Sequence, residues 1–381
     1  MRRRDFIGIG AGALTAGLAG CTDSAGQNSS PTAEDTPTDS ADDTPTATPE
    51  DTSYSVSIEP MGEVTFEDVP QTWAANNGSW ADMGVALGLD APKGVWLPSR
   101  YHTQYYDEIP GVSVDAGSIK KLWGSGGVSK ESFFAMDADV HVMDPNFLLN
   151  RGSWEQSDVD QIESEVGPFF GNSIFSRSYG WHEDYRYYTL YQAFEKLAQV
   201  FQRTDRFEAF EQLHADFQAK LAPVVPPRSE RPAAAVFWGS GDKPEKFYPY
   251  VMSGGTSFKQ WRDLKVKDAL ANSDVKDFHA SRGAIDFETM LEIDPEVILM
   301  RGQEAKTAEE FQNTVVAFMK QHDVASKLTA VQNGDVYRGG PLYQGPISNL
   351  VLTERAASQV YGVDEQLFDR QRVADIVAGE V

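Results

Sequence analysis

The sequence predicts an α/β protein with two lobes joined by one long helix. In both halves of the chain, short apolar runs alternate with helical stretches, an order typical of βαβ units and parallel sheets. Between the halves, residues 184–222 contain neither proline nor glycine and carry apolar residues at helical spacing. Residues 204–206 offer a break or a cap, but the pattern otherwise favours one long helical region. The chain has 381 residues, of which 41% are hydrophobic, so it is long enough for two or three domains with a substantial core.

The first twenty residues are typical of an export signal. Three arginines precede a short run of small and apolar residues, and this run is shorter than the ~20 residues that span a bilayer. Residues 3–7 resemble the twin-arginine export motif, and residues 18–21 resemble a lipobox, in which the cysteine receives the lipid. We therefore interpret residues 1–20 as a twin-arginine lipoprotein signal peptide. Lipid on Cys21 would hold the protein at the outer face of the cytoplasmic membrane.

Cys21 is the single cysteine of the chain. It excludes a disulfide within the chain and a metal site built from several cysteines. The alternative to lipidation is a free, buried thiol. Residues 21–53 consist almost entirely of Ser, Thr, Pro, Asp, Glu, Ala and Gly after the cysteine, so we expect a disordered acidic tether.

The charge of the chain is strongly negative. Lys and Arg number 33 against 57 Asp and Glu, which gives −24 at pH 7. Such a surface disfavours nucleic acid, because neutralising phosphates requires basic residues. Dense carboxylates are also typical of proteins from high salt, where ions screen their mutual repulsion. We expect a halophilic source, and the alternative is an ordinary soluble acidic surface.

The element pattern divides the folded part into an N-terminal lobe (54–183), the long helix (184–222) and a C-terminal lobe (223–381). Alternating apolar and polar residues, or short apolar runs, predict the strands. Apolar residues at spacings of three and four predict the helices. Prolines at 223, 226, 227 and 232 end the long helix. Strands are predicted at 56–66, 94–97, 139–143, 166–170, 233–238, 295–300 and 334–338. Helices are predicted at 79–89, 129–136, 255–270, 286–292, 308–320 and 347–361.

An internal repeat supports two lobes of similar plan. Residues 132–143 and 289–300 share one layout, in which a helix end is followed by a tight acidic turn and an apolar strand. One copy lies in each half of the chain. In open α/β sheets ligands bind outside the carboxyl ends of the strands, so we expect a ligand cleft between the lobes.

Four segments together resemble the helical-backbone class of ABC-transporter substrate-binding proteins, which carry ferric siderophores, cobalamin or haem. Residues 285–299 are similar to the helix-to-strand segment of that family, and residues 131–143 are similar to its counterpart in the other lobe. Residues 328–337 and 343–346 resemble two further family motifs. The likeness covers about 54–381. It implies two Rossmann-like lobes, with the 184–222 helix as the rigid strut between them.

The resemblance also implies function and partners. We expect no enzyme activity and no covalent cofactor, but a monomeric extracellular receptor that captures a ferric chelate and delivers it to an ABC permease. Glu131 and Glu288 occupy equivalent places in the two halves, and by resemblance they dock on the permease. The alternative for either glutamate is an ordinary solvated acid.

A cleft for an organic chelate needs aromatic walls and a few charged groups that orient the ligand. Aromatics and arginines are frequent in the segments between predicted elements, and Arg301 directly follows a predicted strand. A guanidinium pairs with carboxylates or stacks on rings. The alternatives are core aromatics and structural salt bridges. The candidate ligand-binding residues are Arg100, Tyr101, Tyr179, Trp181, Trp238, Arg301 and Tyr343.

Other ligands and one other class of protein remain as alternatives. Cobalamin or haem would suit the same cleft. A bare zinc or manganese ion would need histidines and carboxylates, but the candidates His102, His141, His182 and His279 form no close pair at ligand spacing, so we predict no metal site. Bare ferric iron bound by tyrosines is a further alternative, given Tyr101, Tyr105 and Tyr106. A cell-surface enzyme on the same scaffold is the alternative of a different class. The chain has neither a G-x-S-x-G motif nor a complete P-loop.

Overall fold

The computed structural model describes residues 52–177 and 179–381. The predicted signal peptide, the tether up to residue 51 and Cys21 lie outside these residues. The described chain forms one parallel sheet and one mostly parallel sheet with helices around them, so the predicted two-lobed α/β fold is confirmed.

The N-terminal lobe is built on a four-stranded parallel sheet. The strands of the whole lobe are β1 (Tyr54–Ile58), β2 (Gly62–Phe66), β3 (Trp73–Ala75), β4 (Gly94–Val95), β5 (Lys120–Lys121), β6 (Trp123–Gly124), β7 (Gly127–Val128) and β8 (Val140–Val142). Its helices are α1 (Gly78–Ala86), α2 (Lys130–Met136), α3 (Pro145–Phe147) and α4 (Gln156–Glu165). The order β5-β4-β3-β8 forms the sheet, while β1–β2 and β6–β7 are antiparallel pairs.

The central strand β3 was missed from the sequence. Trp73, Ala74 and Ala75 are buried on both faces of the sheet, so they do not alternate between apolar and polar. The predicted strand at 166–170 is reduced to one bridge between Phe169 and His141. Helix α4 was also missed from the sequence.

The single helix predicted over 184–222 is wrong. The segment forms two helices, α5 (Leu190–Val200) and α6 (Thr204–Leu221). Between them Gln202 adopts φ +49°, a left-handed conformation that ends α5 and folds the chain back. Phe194 then packs at 5.4 Å from Phe207 and 5.8 Å from Phe210, measured between ring centroids. In one continuous helix, residues 194 and 210 would lie about 24 Å apart. The hairpin therefore buries both apolar faces against each other.

The C-terminal lobe carries the larger sheet. Its strands are β9 (Ala233–Trp238), β10 (Tyr248–Tyr250), β11 (Lys267–Asp268), β12 (Val297–Arg301) and β13 (Val336–Arg338). Its helices are α7 (Lys259–Asp263), α8 (Phe278–Ser281), α9 (Phe287–Ile293), α10 (Ala308–Phe311), α11 (Ala317–Gln321), α12 (Thr329–Asn333), α13 (Pro346–Tyr361) and α14 (Arg370–Ala378). The sheet order is β10-β9-β12-β13, with β11 beside β9. All pairs are parallel except β10 with β9.

Most predictions for this lobe hold within a few residues. Strand β9 has the predicted bounds, and α9 and α13 each begin within one residue of their predicted starts. The helix predicted at 255–270 is much shorter, because Lys265 takes a left-handed φ of +55° soon after α7. Strand β10 and helix α14 were missed from the sequence.

The internal repeat is a repeat of structure. Helices α2 and α9 have seven residues each, and both end at a left-handed aspartate, Asp137 with φ +48° and Asp294 with φ +43°. A strand follows at the same distance in both lobes, β8 in one and β12 in the other. The repeat therefore places the carboxyl ends of equivalent strands in equivalent positions in each lobe.

Helix α1 of the N-terminal lobe packs against α13 of the C-terminal lobe, and one cluster of buried side chains extends through both lobes. At this contact, the carboxylate of Asp82 accepts hydrogen bonds from the backbone N–H of Ile347 at 3.0 Å and Ser348 at 3.3 Å. These N–H groups belong to the first turn of α13, where a helix leaves its donors without partners. One lobe thus caps a helix of the other.

Candidate ligand-binding cleft

Residues from both lobes meet beyond the carboxyl ends of the parallel strands. Strand β4 leads into a turn that ends at Arg100, while Trp238 and Arg301 are the last residues of β9 and β12. The Arg100 guanidinium lies 4.8 Å from the centre of the Trp238 ring, so the two lobes are in contact here. The charge of Arg100 also acts on the hydroxyl of Tyr343, where it opposes the rise in pKa that burial causes.

A second group of rings continues this surface. Tyr179 stacks on Trp181 with ring centroids 4.1 Å apart, and the His279 ring lies 5.1 Å from Tyr179. The two groups are joined by Phe175, whose ring lies 5.1 Å from Tyr343 and 5.9 Å from Tyr179. We call this set the aromatic–arginine cluster. Its members are Arg100, Phe175, Tyr179, Trp181, Trp238, Tyr250, His279, Arg282 and Tyr343.

The structure thus brings five of the seven predicted ligand-binding residues into one cluster. They are Arg100, Tyr179, Trp181, Trp238 and Tyr343. Arg100, Trp181 and Trp238 are partly exposed and Arg282 is exposed, while the two tyrosines are buried. The open face therefore presents indole rings and guanidinium groups, with the tyrosines behind them.

The cluster is locally basic in a strongly acidic protein. Burial raises the pKa of the Tyr343 hydroxyl, and the charges of Arg100 and Arg151 oppose this shift. Burial also raises the pKa of Tyr179, against the charges of Arg151 and Arg282. The carboxylate of Asp277 lies 3.4 Å from Nδ1 of His279. Four arginines, including Arg301, therefore act on these rings, and such a site favours a ligand with negative charge.

Arg301 lies in the cluster's second layer. Its side chain is fully buried between the rings of Phe258 and Tyr250, whose centres lie 4.4 Å and 5.1 Å from the guanidinium carbon. It donates one hydrogen bond to the Ser257 carbonyl, while Nε and Nη1 have no partner among the described residues. Burial lowers the pKa of Arg301 to about 10. Arg301 therefore supplies charge from behind Tyr250.

Tyr101 lies apart from the open face. Its hydroxyl is 2.8 Å from that of Tyr106, which in turn donates to Asp82 at 2.8 Å. All three side chains are buried. Tyr101 thus belongs to the hydrogen-bond network that joins α1 to α13.

A second polar network joins the lobes at Glu304. The buried carboxylate of Glu304 pairs with both Nη atoms of Arg355, at 3.0 and 3.1 Å. It also accepts a hydrogen bond from the Tyr105 hydroxyl at 2.6 Å. Arg355 and Tyr105 hold the pKa of Glu304 well below its usual range, against the effect of burial. Sequence reasoning missed this network, because nothing near residue 304 indicates a partner in the other lobe.

Two of the candidate histidines, His182 and His279, lie on the same ring, at 5.3 and 5.1 Å from the centre of Tyr179. The His141 ring is fully buried between Phe133 and Phe169, and burial lowers its pKa to about 4. The ring is therefore uncharged at neutral pH and belongs to the hydrophobic core. His279 belongs to the aromatic–arginine cluster. No group of three or more His, Cys, Asp or Glu side chains within residues 52–177 and 179–381 is placed to hold a metal ion.

The two predicted docking glutamates are exposed at matching places. Glu131 lies in the first turn of α2 and Glu288 in the first turn of α9. Separately, no helix among the described residues is long and apolar enough to cross a membrane.

Comparison with known proteins agrees with this fold. Residues 156–342 match the family model described as periplasmic binding protein. A comparison with curated protein sequences found no match.

Several solved structures are similar over most of their length. The iron-uptake ABC transporter substrate-binding protein PiuA from Streptococcus pneumoniae shares 17% identity and a TM-score of 0.53, covering 81% of this chain and 98% of that one. The siderophore-binding protein FhuD from Vibrio cholerae, with Fe3+–Desferal bound, shares 15% identity and a TM-score of 0.52, covering 78% and 99%. The haem-binding protein HmuT shares 16% identity and a TM-score of 0.54, covering 81% and 89%.

These similarities agree with the architecture described above, in which two parallel-sheet lobes meet at the carboxyl ends of their strands. Residues 156–342 therefore match the periplasmic binding protein family, and the described part of the chain has the fold of these solved substrate-binding proteins.

Proposed function

We propose that this protein captures a ferric siderophore or a similar metal chelate outside the cell and delivers it to the permease of an ABC importer. The observation that carries the proposal is the aromatic–arginine cluster between the lobes. Its rings suit the organic part of a chelate, and its arginines suit a net negative charge. The similar structures include a ferric-siderophore complex and a protein of iron uptake.

The ligand is tested by titrating residues 52–381 in molar salt and following tryptophan fluorescence. Trp181 and Trp238 lie in the cluster, so bound ligand should quench their emission. Ferric hydroxamate and catecholate siderophores, haem, cobalamin and free Fe3+ are the probes. Saturable quenching by a ferric siderophore, but not by its iron-free form, supports the proposal.

The control for light absorbed by the ligand is free tryptophan titrated in parallel. If only haem, cobalamin or a bare metal ion binds, the proposed role as a receptor stands and the ligand assignment changes. A folded sample that binds none of these probes contradicts the proposal and favours the enzyme alternative.

The membrane attachment is a separate part of the proposal. Cys21 follows a lipobox-like sequence and precedes an acidic Ser/Thr/Pro-rich segment, which would act as a tether for the folded lobes. Wild-type protein should be found in the membrane fraction, and Cys21→Ser should release it. Fractionation of both variants in the native host makes this test, and equal membrane attachment would contradict lipidation.

Docking on the permease is proposed for Glu131 and Glu288. Both are exposed on equivalent helices of the two lobes, so a two-lobed receptor would present one carboxylate from each lobe to its partner. The double change Glu131→Gln and Glu288→Gln should reduce uptake of the ligand into cells without changing its binding to the isolated protein. Unchanged uptake would contradict the docking role.

A further inference from the structure

A pocket in the C-terminal lobe lies outside the aromatic–arginine cluster. It has a volume of about 350 Å³, within the range of small-molecule sites. It lies between the end of β13, the start of α10 and the middle of α13. Its lining residues are Ala308, Phe311, Gln312, Tyr337, Arg338, Arg355, Ser358 and Gln359.

The lining of this pocket is unlike the rest of the protein surface. Acids outnumber bases by 57 to 33 in the whole chain, yet the pocket is lined by two arginines and no carboxylate. Arg355 is neutralised by its pair with Glu304. Arg338, in contrast, forms no ion pair within 4 Å among the residues that the structure describes, although it donates a hydrogen bond to the Lys306 carbonyl. Among the lining residues, Arg338 is therefore the guanidinium that no carboxylate of the described residues pairs directly.

Two buried polar atoms of the lining add to this picture. Nε of Arg355 and Oε1 of Gln359 have no hydrogen-bond partner among the described residues. A buried polar group without a partner costs free energy. An oxyanion can accept a hydrogen bond from Nε of Arg355, whereas Oε1 of Gln359 is itself an acceptor and needs a donor such as an ordered water. The amide of Gln312 and the hydroxyl of Ser358 provide further polar groups, whereas Phe311 and Ala308 form an apolar wall.

The charge environment of Arg338 comes from elements on both sides of the pocket. Burial and the neighbouring Arg355 lower the pKa of Arg338, while Glu304 and Tyr105 act in the opposite direction. The guanidinium remains protonated at neutral pH because its usual pKa is far higher. Asp364 accepts a hydrogen bond from Ser358 at 2.9 Å. It lines an adjoining pocket on the other side of Arg338, together with Glu108, Glu354, Glu365 and Arg370.

We propose that this pocket binds a small oxyanion, a carboxylate or a phosphate, whose charge pairs with Arg338. A guanidinium presents parallel N–H groups that match either oxyanion. The pocket is separate from the proposed chelate site, so the protein would carry two ligands of different chemistry. The proposal stands whether or not the cleft binds a ferric siderophore.

The probes are citrate and inorganic phosphate, added to residues 52–381 at constant ionic strength. Binding is measured by calorimetry and by the shift in the melting temperature. Wild-type protein should bind one of them saturably, and the preferred probe identifies the class of oxyanion. Arg338→Gln should weaken this binding about tenfold or more, because it removes one charged hydrogen-bonding partner.

Two further variants separate a specific site from a general effect of salt on stability. Gln312→Glu places a carboxylate at the exposed edge of the pocket and should also weaken binding, even if Arg338→Gln fails to fold. Lys306→Gln removes a neighbouring cation that does not line the pocket and should bind as the wild type does. The proposal would be overturned if the wild type and the three variants bound the probe with equal affinity. It would also be overturned if the wild type bound neither citrate nor phosphate saturably.

Discussion

Arg100 connects the two lobes at the proposed chelate site. It stacks on Trp238, its charge acts on the Tyr343 hydroxyl, and it remains partly exposed. If the ligand is an anionic chelate, Arg100→Gln removes a charged contact worth about 1.5–3 kcal/mol, so binding should weaken by about ten- to a hundredfold. Fluorescence titration with the ferric chelate measures this loss.

The matched control for Arg100 is Arg228→Gln, which changes an exposed arginine outside the cluster. It should leave affinity unchanged and show that total charge is not the cause. Equal affinity of Arg100→Gln and wild type would place the ligand elsewhere on the protein.

Glu304 and Asp82 are both buried carboxylates, but their pKa values shift in opposite directions. Arg355 gives Glu304 a partner of opposite charge, so its pKa falls. Asp82 accepts only neutral donors, and burial raises its pKa to about 7. The comparison shows that a paired cation decides which form of a buried acid is favoured.

The lowered pKa of Glu304 predicts a pH dependence of stability. Because the carboxylate is ionised more readily in the folded state, its contribution is complete above the usual glutamate pKa of about 4.5 and declines as the pH falls toward the lower folded value. Glu304→Gln leaves Arg355 without its partner and should cost about 3–5 kcal/mol at pH 7. Urea unfolding at pH 7 and pH 3 measures both proteins, and the gap between them should narrow at pH 3. A gap that does not change with pH would contradict this assignment.

Helices α5 and α6 depend on each other for burial. Phe194 is fully buried and contacts Phe207 and Phe210 of the second helix. Phe194→Ala should therefore lower the free energy of unfolding by about 3–5 kcal/mol, because it removes the ring and leaves a cavity. Urea unfolding at neutral pH gives this value.

Phe134→Ala is the matched control for Phe194→Ala. Phe134 is 37% exposed on α2, so its loss should change stability by about 0.5 kcal/mol or less. Similar losses from both substitutions would argue against the helical hairpin.

The break between α5 and α6 also shows where prediction from sequence stops. The apolar spacing over 190–221 is helical throughout, and it correctly predicts helix on both sides of the break. Residues 204–206 offered a break or a cap in the sequence, and α6 does begin at Thr204. The left-handed turn at Gln202 is set by the packing of the two helices on each other, and glutamine itself carries no local signal for it. The equivalent turns at Asp137 and Asp294 were predictable, since the repeat of the two halves marks an acidic turn in each.

The proposed site was predictable in part for similar reasons. Aromatics and arginines after strand ends were expected at the cleft, and Arg100, Trp238 and Tyr343 do meet there. Tyr101 and Arg301 follow the same rule in the sequence, yet they are buried at the lobe contact and behind Tyr250. Sequence places a residue at a strand end, but only the packing of neighbours decides whether its side chain reaches solvent.

At the scale of the whole molecule, the lobes are joined by more than the connecting hairpin. A continuous buried cluster runs through both lobes, and the networks at Asp82 and Glu304 cross between them. Separating the lobes would expose these groups to water without replacement partners in the protein. We therefore expect only a small change of shape on ligand binding.

Small-angle scattering with and without the ferric chelate tests this rigidity. The radius of gyration should stay constant within error. A clear decrease on ligand addition would show a hinge motion and contradict the role given to the two networks.

The contact between Asp82 and α13 has a consequence for how the protein is made. Asp82 and Ile347 are 265 residues apart in the chain. At about 5–20 residues per second, a ribosome needs roughly 13–50 s to travel between them, so the inner face of α1 waits that long for its partner. A nascent chain that stops before residue 346 leaves this face uncovered and open to proteases. Under the proposed twin-arginine export, which accepts folded chains, the final helices would thus decide which molecules are ready to leave the cell.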